Sequence, residues 1–197
     1  MEVKENAHLE YDILKGVARV DEILQMNCSA EDVDSVPSRG CLTYKNGCYV
    51  NVSALSIDIV DSSKMTDSAK RPTLAKIYRC FISECIAVLA ELDFCQEVNI
   101  HGDCGWGVFD TTDRCRFNLL FNTAEKLMSC INMINNRLNK YVHQEIKVGI
   151  GCDFGRALMI KAGLEGSGLN DVVWMGDVVN SACHLANKAG RNGLPVM

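Results

Sequence analysis

The chain has 197 residues, 48% of them hydrophobic, with a formal charge of −5. That is enough apolar material for one substantial core, and the acidic balance excludes broad binding to a nucleic-acid backbone, which needs a basic face. Its eleven cysteines, an odd number scattered through apolar runs without a paired C-x-x-C, read mostly as small buried hydrophobes in a reducing cytoplasm.

The opening MEVKENAHLE mixes charges where a signal peptide would have a basic and then an apolar region, and no later apolar run has the length of a membrane span. A soluble, cytoplasmic protein with neither a membrane nor a nucleic acid as partner is the expectation. From Leu9 to Met26, apolar residues at Leu9, Ile13, Val17, Val20 and Leu24 recur at helical spacing. They predict an amphipathic helix outside the main pattern, with the body of the protein or a second copy to pack on. Asn27 to Gly47 is polar and holds Pro37, Gly40 and Gly47, as a connector would. The chain thus divides into an N-terminal helix and connector, 1–47, and a globular domain, 48–197.

Val50 to Ser63, VNVSALSIDIVDSS, is an apolar run that ends in acids and hydroxyls. Leu55, Ile57 and Ile59 favour a strand that delivers Asp58 to its exit. Next comes MTDSAKRP, with Asp67 or Ser68 as N-cap and Pro72 in the first turn of a long helix. Leu74, Ile77, Phe81, Cys85, Val88 and Leu92 mark the buried face of that helix. In Asn99 to Phe109, NIHGDCGWGVF, Gly102 and Asp103 stand between two short runs, Cys95 to Ile100 and Trp106 to Phe109, as in a β-hairpin. Thr111, Thr112 and Asp113 cap a second helix with a stripe at Leu120, Leu127, Ile131, Ile134 and Leu138.

A strand follows at Ile146 to Cys152, another at Arg156 to Ala162, then a Gly-rich loop from Gly163 to Gly168 and a short strand at Val172 to Trp174. Asp177 to Ala189 is predicted helical, and Leu194 to Met197 begins a further strand. Up to Cys152 the order is β-α-β-β-α-β, so the predicted fold is α+β and ferredoxin-like, an antiparallel sheet covered by helices, with extra C-terminal strands and a helix. If the two strands carrying Asp58 and Asp103 are neighbours, the carboxylates point at one spot. Such a pair suits Mg²⁺ or Mn²⁺ held partly by substrate phosphates, although ordinary strand-end acids would show the same spacing.

Four pieces in order, SIDIVDSS, HGDCGWGVF, VGIGCDFGRALMIKAG and VWMGDVVNSACHLANKAGR, make the chain similar to the class III nucleotidyl cyclases from about Tyr49 to Met197. The last, with its Gly-Asp-x-Val-Asn-x-Ala run, is the most specific. The resemblance implies a cyclase catalytic domain, a homodimer with composite active sites, and a nucleoside triphosphate substrate. It implies that Asp58, the carbonyl of Ile59 and Asp103 hold two divalent ions, Mn²⁺ or Mg²⁺, and that Ser62 and Ser63 with nearby amides, at the start of the first long helix, cradle phosphates. Asn180 would position the ribose from the partner subunit, and Arg191 matches an arginine that some members use on the phosphates.

The departures from the family pattern are specific. Four residues after Asn180 the family usually has an arginine, and this chain has His184. A neutral imidazole stabilises transition-state charge less well than a guanidinium, so either His184 is kept protonated, or another cation substitutes, or the domain binds without turnover. At the base-reading positions stand Asn99, where adenylate cyclases have lysine and guanylate cyclases glutamate, and Val173, where they have aspartate, threonine or cysteine. An asparagine amide can pair with uracil or, flipped, with cytosine, and Tyr49 can add an aromatic or hydroxyl contact. The altered pocket resembles the pyrimidine cyclases of bacterial antiphage systems, whose cyclic product acts on a separate effector. The expectation is a UTP cyclase, with CTP second. A catalytically silent nucleotide-binding dimer and a purine cyclase with an atypical pocket remain as alternatives.

Overall fold

The computed structural model describes residues 8–68, 71–193 and 196. These residues fall into two compact units, one made of 34–36, 51–157 and 176–196, the other of 8–33, 37–50 and 158–175. The long strands β2 (Asn46–Ile59) and β5 (Val148–Leu164) contribute a part to each.

The first unit carries the expected βαββαβ core. Its elements are the end of β2, α2 (Ser62–Ser68), α3 (Arg71–Leu89), β3 (Cys95–His101), β4 (Cys104–Phe109), α4 (Arg114–Val142), the start of β5, and α5 (Asp177–Arg191). The strands run in the order β3-β4-β2-β5, and β4 is antiparallel to both β3 and β2. Alternation decides the two faces. Leu55, Ile57 and Ile59 of β2 with Val148 and Ile150 of β5 meet Ile77, Phe81, Cys85 and Leu89 of α3 and Leu120, Leu127, Ile131 and Ile134 of α4 in one buried core. Asp113 caps α4 by accepting from the Arg116 amide at 2.9 Å.

The opposite face is built for α5. Gly149 and Gly151 of β5 lie so close to that helix that an added Cβ would sit 2.0 Å from the Ala186 carbonyl oxygen and 2.1 Å from the Ala182 carbonyl oxygen. Val178, Ala182, Ala186 and Ala189 are the buried residues of α5, a row of small side chains that permits the approach. The β3–β4 turn is tight, with Gly102 at φ 63°, a left-handed conformation that glycine adopts without a Cβ penalty.

The second unit holds α1 (Ile13–Gln25), β1 (Ser29–Asp32), a 3₁₀ turn (Arg39–Cys41), the start of β2, the end of β5, and β6 (Leu169–Met175). β1 pairs in parallel with β2, β6 is antiparallel to β5, and Arg39 is ion-paired to Asp171. Asp12 caps α1, accepting from the Leu14 amide at 2.9 Å.

Three expectations need correction, and a fourth lies mostly outside the described residues. The segment 27–47 is not only connector: Ser29–Asp32 forms a strand, exposed at every residue, that backbone bonding to β2 defines without any apolar alternation. Asp67 and Ser68, expected to precede the long helix, lie within the helical stretch Ser62–Ser68 that Ser62 and Ser63 open, and helix is described again over Arg71–Leu89. The two strands expected at 146–152 and 156–162 are one strand, because pairing carries β5 through Asp153 and Gly155, where the alternation breaks. Of the strand expected at 194–197, only Val196 lies among the described residues, and it bridges to Ile150.

Candidate active site

Asp58 is the second-last residue of β2 and the Cα partner of Cys104, the first residue of β4. The β3–β4 turn therefore sets Asp103 beside it. Both carboxylates line a cleft of about 440 Å³ together with Ile59, Asp61, Ser62, Ser63, Asn187 and Arg191. The neighbouring strand ends thus bring the two acids to one place.

The charge balance of this cleft is uneven. Half-burial and the facing charge of Asp103 push the Asp58 carboxyl up to about 6. The Asn187 amide and the Ile59 backbone N–H, both donating to Asp58, and the positive charge of Arg191 act the other way. Two neighbouring acids in a cleft of carboxylate, hydroxyl and amide oxygens form a donor set that fits a hard divalent cation. Such an ion would take Asp58, Asp103 and the Ile59 carbonyl, with substrate phosphates completing its shell. No cluster of three or more His, Cys, Asp or Glu residues suited to a metal occurs among the described residues, so the acid pair would have to share the ligation with backbone and substrate.

The other expected residues are found in several places. Ser62, Ser63 and Arg191 line the cleft. Asn180 and His184 are exposed on α5 and do not line it. Asn99 is half-buried on β3 opposite Trp106, with its amide donating to Glu97. In the second unit, Tyr49 is half-buried on β2 opposite Asp32, and Val173 is exposed on β6 opposite Ile160.

No protein-family model matches the chain. It is 38% identical over 194 residues to a uridylate cyclase of Gulbenkiania mobilis, spanning 93% of this chain and 75% of that protein. It is 33% identical over 193 residues to a uridylate cyclase of Treponema porcinum, spanning 98% of this chain and 68% of that one. The chain belongs to the uridylate cyclase family. Its fold is that of the class III cyclases, as in a class III adenylyl cyclase-like ATP-binding protein from Pseudomonas aeruginosa, which matches with a TM-score of 0.70 at 15% identity over 95% of this chain and 44% of that one.

One residue of this uridylate cyclase site escaped the reading of the sequence. Asn187, which bonds Asp58, lies three residues after His184 and four before Arg191. Asn180, His184, Asn187 and Arg191 follow a 4-3-4 spacing, one face of a helix, so periodicity carried the signal for it. The same helix divides its polar residues along its length: the C-terminal pair lines the cleft of its own chain, while Asn180 and His184 face solvent.

Proposed function

We propose that this chain converts UTP into the 3′,5′-cyclic monophosphate and pyrophosphate, with CTP as the second-ranked substrate. The observation that carries the proposal is the convergence of Asp58 and Asp103 on an oxygen-lined cleft, in a member of the uridylate cyclase family. Asp58, Asp103 and the Ile59 carbonyl would hold two divalent ions, Mn²⁺ or Mg²⁺. Bound there, such ions supply charge for ionisation of the 3′-hydroxyl and for the departing pyrophosphate. Asn187 holds the Asp58 carboxylate in the orientation the site uses. Ser62 and Ser63 bond phosphate oxygens, and Arg191 places a guanidinium against the triphosphate.

A second copy completes the site in a homodimer. Its Asn180 orients the ribose, and its His184 stands where cyclases of this class usually have arginine. Both side chains are exposed in the single chain, which leaves them open to a neighbouring copy. Asn99, Tyr49 and Val173 make the contacts to the base, an amide in place of a charged purine reader. The product is a signal for a separate effector protein, in antiphage defence in the cytoplasm. No helix among the described residues is long and apolar enough to cross a membrane.

The test is incubation of the purified protein with each of the four NTPs and Mn²⁺, with the products separated by chromatography. Cyclic UMP as the main product is expected, and cyclic AMP alone would overturn the base assignment. His184 favours a second reading, a nucleotide-binding dimer without turnover. Metal-dependent UTP binding with no cyclic product from any NTP would select it.

A further inference from the structure

The α1 helix presents its apolar side to solvent. Ile13, Val17, Val20 and Leu24, spaced 4-3-4, lie on one stripe, with Leu14 and Ile23 on its flanks, and each of the six is between 53% and 77% exposed. The side of α1 that its own unit uses is a different one. Arg19, Glu22, Ile23 and Met26 line a cleft of about 830 Å³ with β1 and the end of β5, and Gly16 is the one buried residue of the helix. That side mixes polar and apolar residues, with Ile23 at its border, and the stripe Ile13, Val17, Val20 and Leu24 is uncovered among the described residues.

We propose that this stripe is the contact by which α1 pairs with α1 of a second copy of the chain. The alternating spacing of four and three keeps a seam continuous along two helices that pack side by side, and branched side chains at successive seam positions suit that packing. The area suffices: two stripes with their flanking Leu14 and Ile23 would remove on the order of 1,000 Å² from water, the lower bound for a specific interface. Charge selects against a lipid surface. Glu10, Asp12, Asp21 and Glu22 outnumber Lys15 and Arg19, whereas a helix that lies on anionic membranes carries a basic polar face. An isologous pair is also self-sufficient, because each copy supplies the surface the other needs.

The experiment is sedimentation velocity of the full chain over a dilution series, comparing the parent with Val17→Glu/Val20→Glu and with the conservative Val17→Leu/Val20→Leu. Val17 and Val20 are both more than half exposed, so circular dichroism and melting temperature should match the parent in both variants. The glutamate pair is expected to raise the dimer dissociation constant at least tenfold, and the leucine pair to leave it within about threefold. A photo-crosslinker in place of Val17 should join two chains through peptides of the 9–26 segment. A monomeric parent, an unchanged constant in the glutamate variant, or crosslinks to another segment would each overturn the proposal. Loss of binding to anionic vesicles with self-association unchanged would overturn it in favour of a lipid partner. Cyclic UMP made by a dimer whose constant the glutamate pair leaves unchanged would overturn the α1 pairing alone, whereas α1 crosslinks with no cyclic product from any NTP would overturn the proposed reaction alone.

Discussion

Helices α1 and α5 look alike as sequence, each a run of thirteen or fifteen residues with an apolar stripe at helical spacing, yet they end in opposite situations. The stripe of α5 is small, Ala182, Ala186 and Ala189, and it is wholly buried against a strand that has glycine where a side chain would block it. The stripe of α1 is large and branched, and it stands in solvent. Periodicity therefore predicts that a helix has an apolar face but says nothing of what covers that face. Coverage depends on the shape of the facing surface, and glycines at 149 and 151 give α5 a seat.

This contrast can be tested from the catalytic side downwards in effect. The largest change is expected at the cleft that α5 helps to close. Asp58→Asn or Asp103→Asn should lower UTP turnover by about a thousandfold or more, as removal of an electrostatic stabiliser does. Calorimetric Mn²⁺ titration should show the lost site, with little change in melting temperature.

Next is the seat itself. Gly151→Ala puts a Cβ against the backbone of α5, which cannot swing aside, so a loss of about 1–3 kcal/mol in denaturant unfolding is expected, with activity falling as α5 shifts. An unchanged unfolding midpoint would mean that the helix is not held by close contact.

Asn187→Ala removes the side-chain donor that α5 gives Asp58, and losing a group that orients a metal-binding carboxylate costs about 10- to 100-fold in metal affinity. Mn²⁺ affinity measured by paramagnetic resonance should fall by that factor, and Asn187→Ser should recover part of it.

The pH dependence of the same contact is opposite for binding and for folding. With Asp58 raised from 3.8 to about 6, its carboxyl is protonated below about 6, so Mn²⁺ affinity should fall as the solution is acidified through that value. In metal-free protein the folded chain keeps between those two values a proton that the unfolded chain has lost. The contribution of this group to stability is then fully present below 3.8 and is lost as pH rises through about 6. Melting curves from pH 4 to 7 should show this slope, and Asp58→Asn should flatten it.

The smallest effect belongs to α1. A Cβ at Gly16 would meet only the phenol end of Tyr11, 2.6 Å away on a flexible side chain that can move. Gly16→Ala should therefore stabilise the chain by up to about 1 kcal/mol through helix propensity, the reverse in sign of Gly151→Ala. A destabilisation as large as that at Gly151 would show α1 to be packed as tightly as α5.

Much of the cleft was legible in the sequence, because local patterns fix it. An apolar strand that ends in Asp58 and a tight turn through Gly102 and Asp103 each announce themselves, and the alternation along β2 and β4 forces the two ends to meet. The capping acid at Asp113 and the stripes of α3 and α4 are local signals of the same kind. The strand at Ser29–Asp32 left no such trace, since an exposed strand is defined by the neighbour it bonds and not by its own side chains. Nor did the continuity of β5 through Asp153 and Gly155, which interstrand hydrogen bonds maintain against a broken alternation. The bond from Asn187 to Asp58 joins residues 129 positions apart and needed the docking of α5 to exist. The sequence by itself thus determined the strands and helices that carry a regular apolar pattern and where the acids leave the sheet, because these follow from periods of two and 3.6 and from turn chemistry. Only the tertiary structure decided that α5 is seated on glycines while α1 keeps its apolar stripe in water, because close approach between distant segments is a property of surfaces in space.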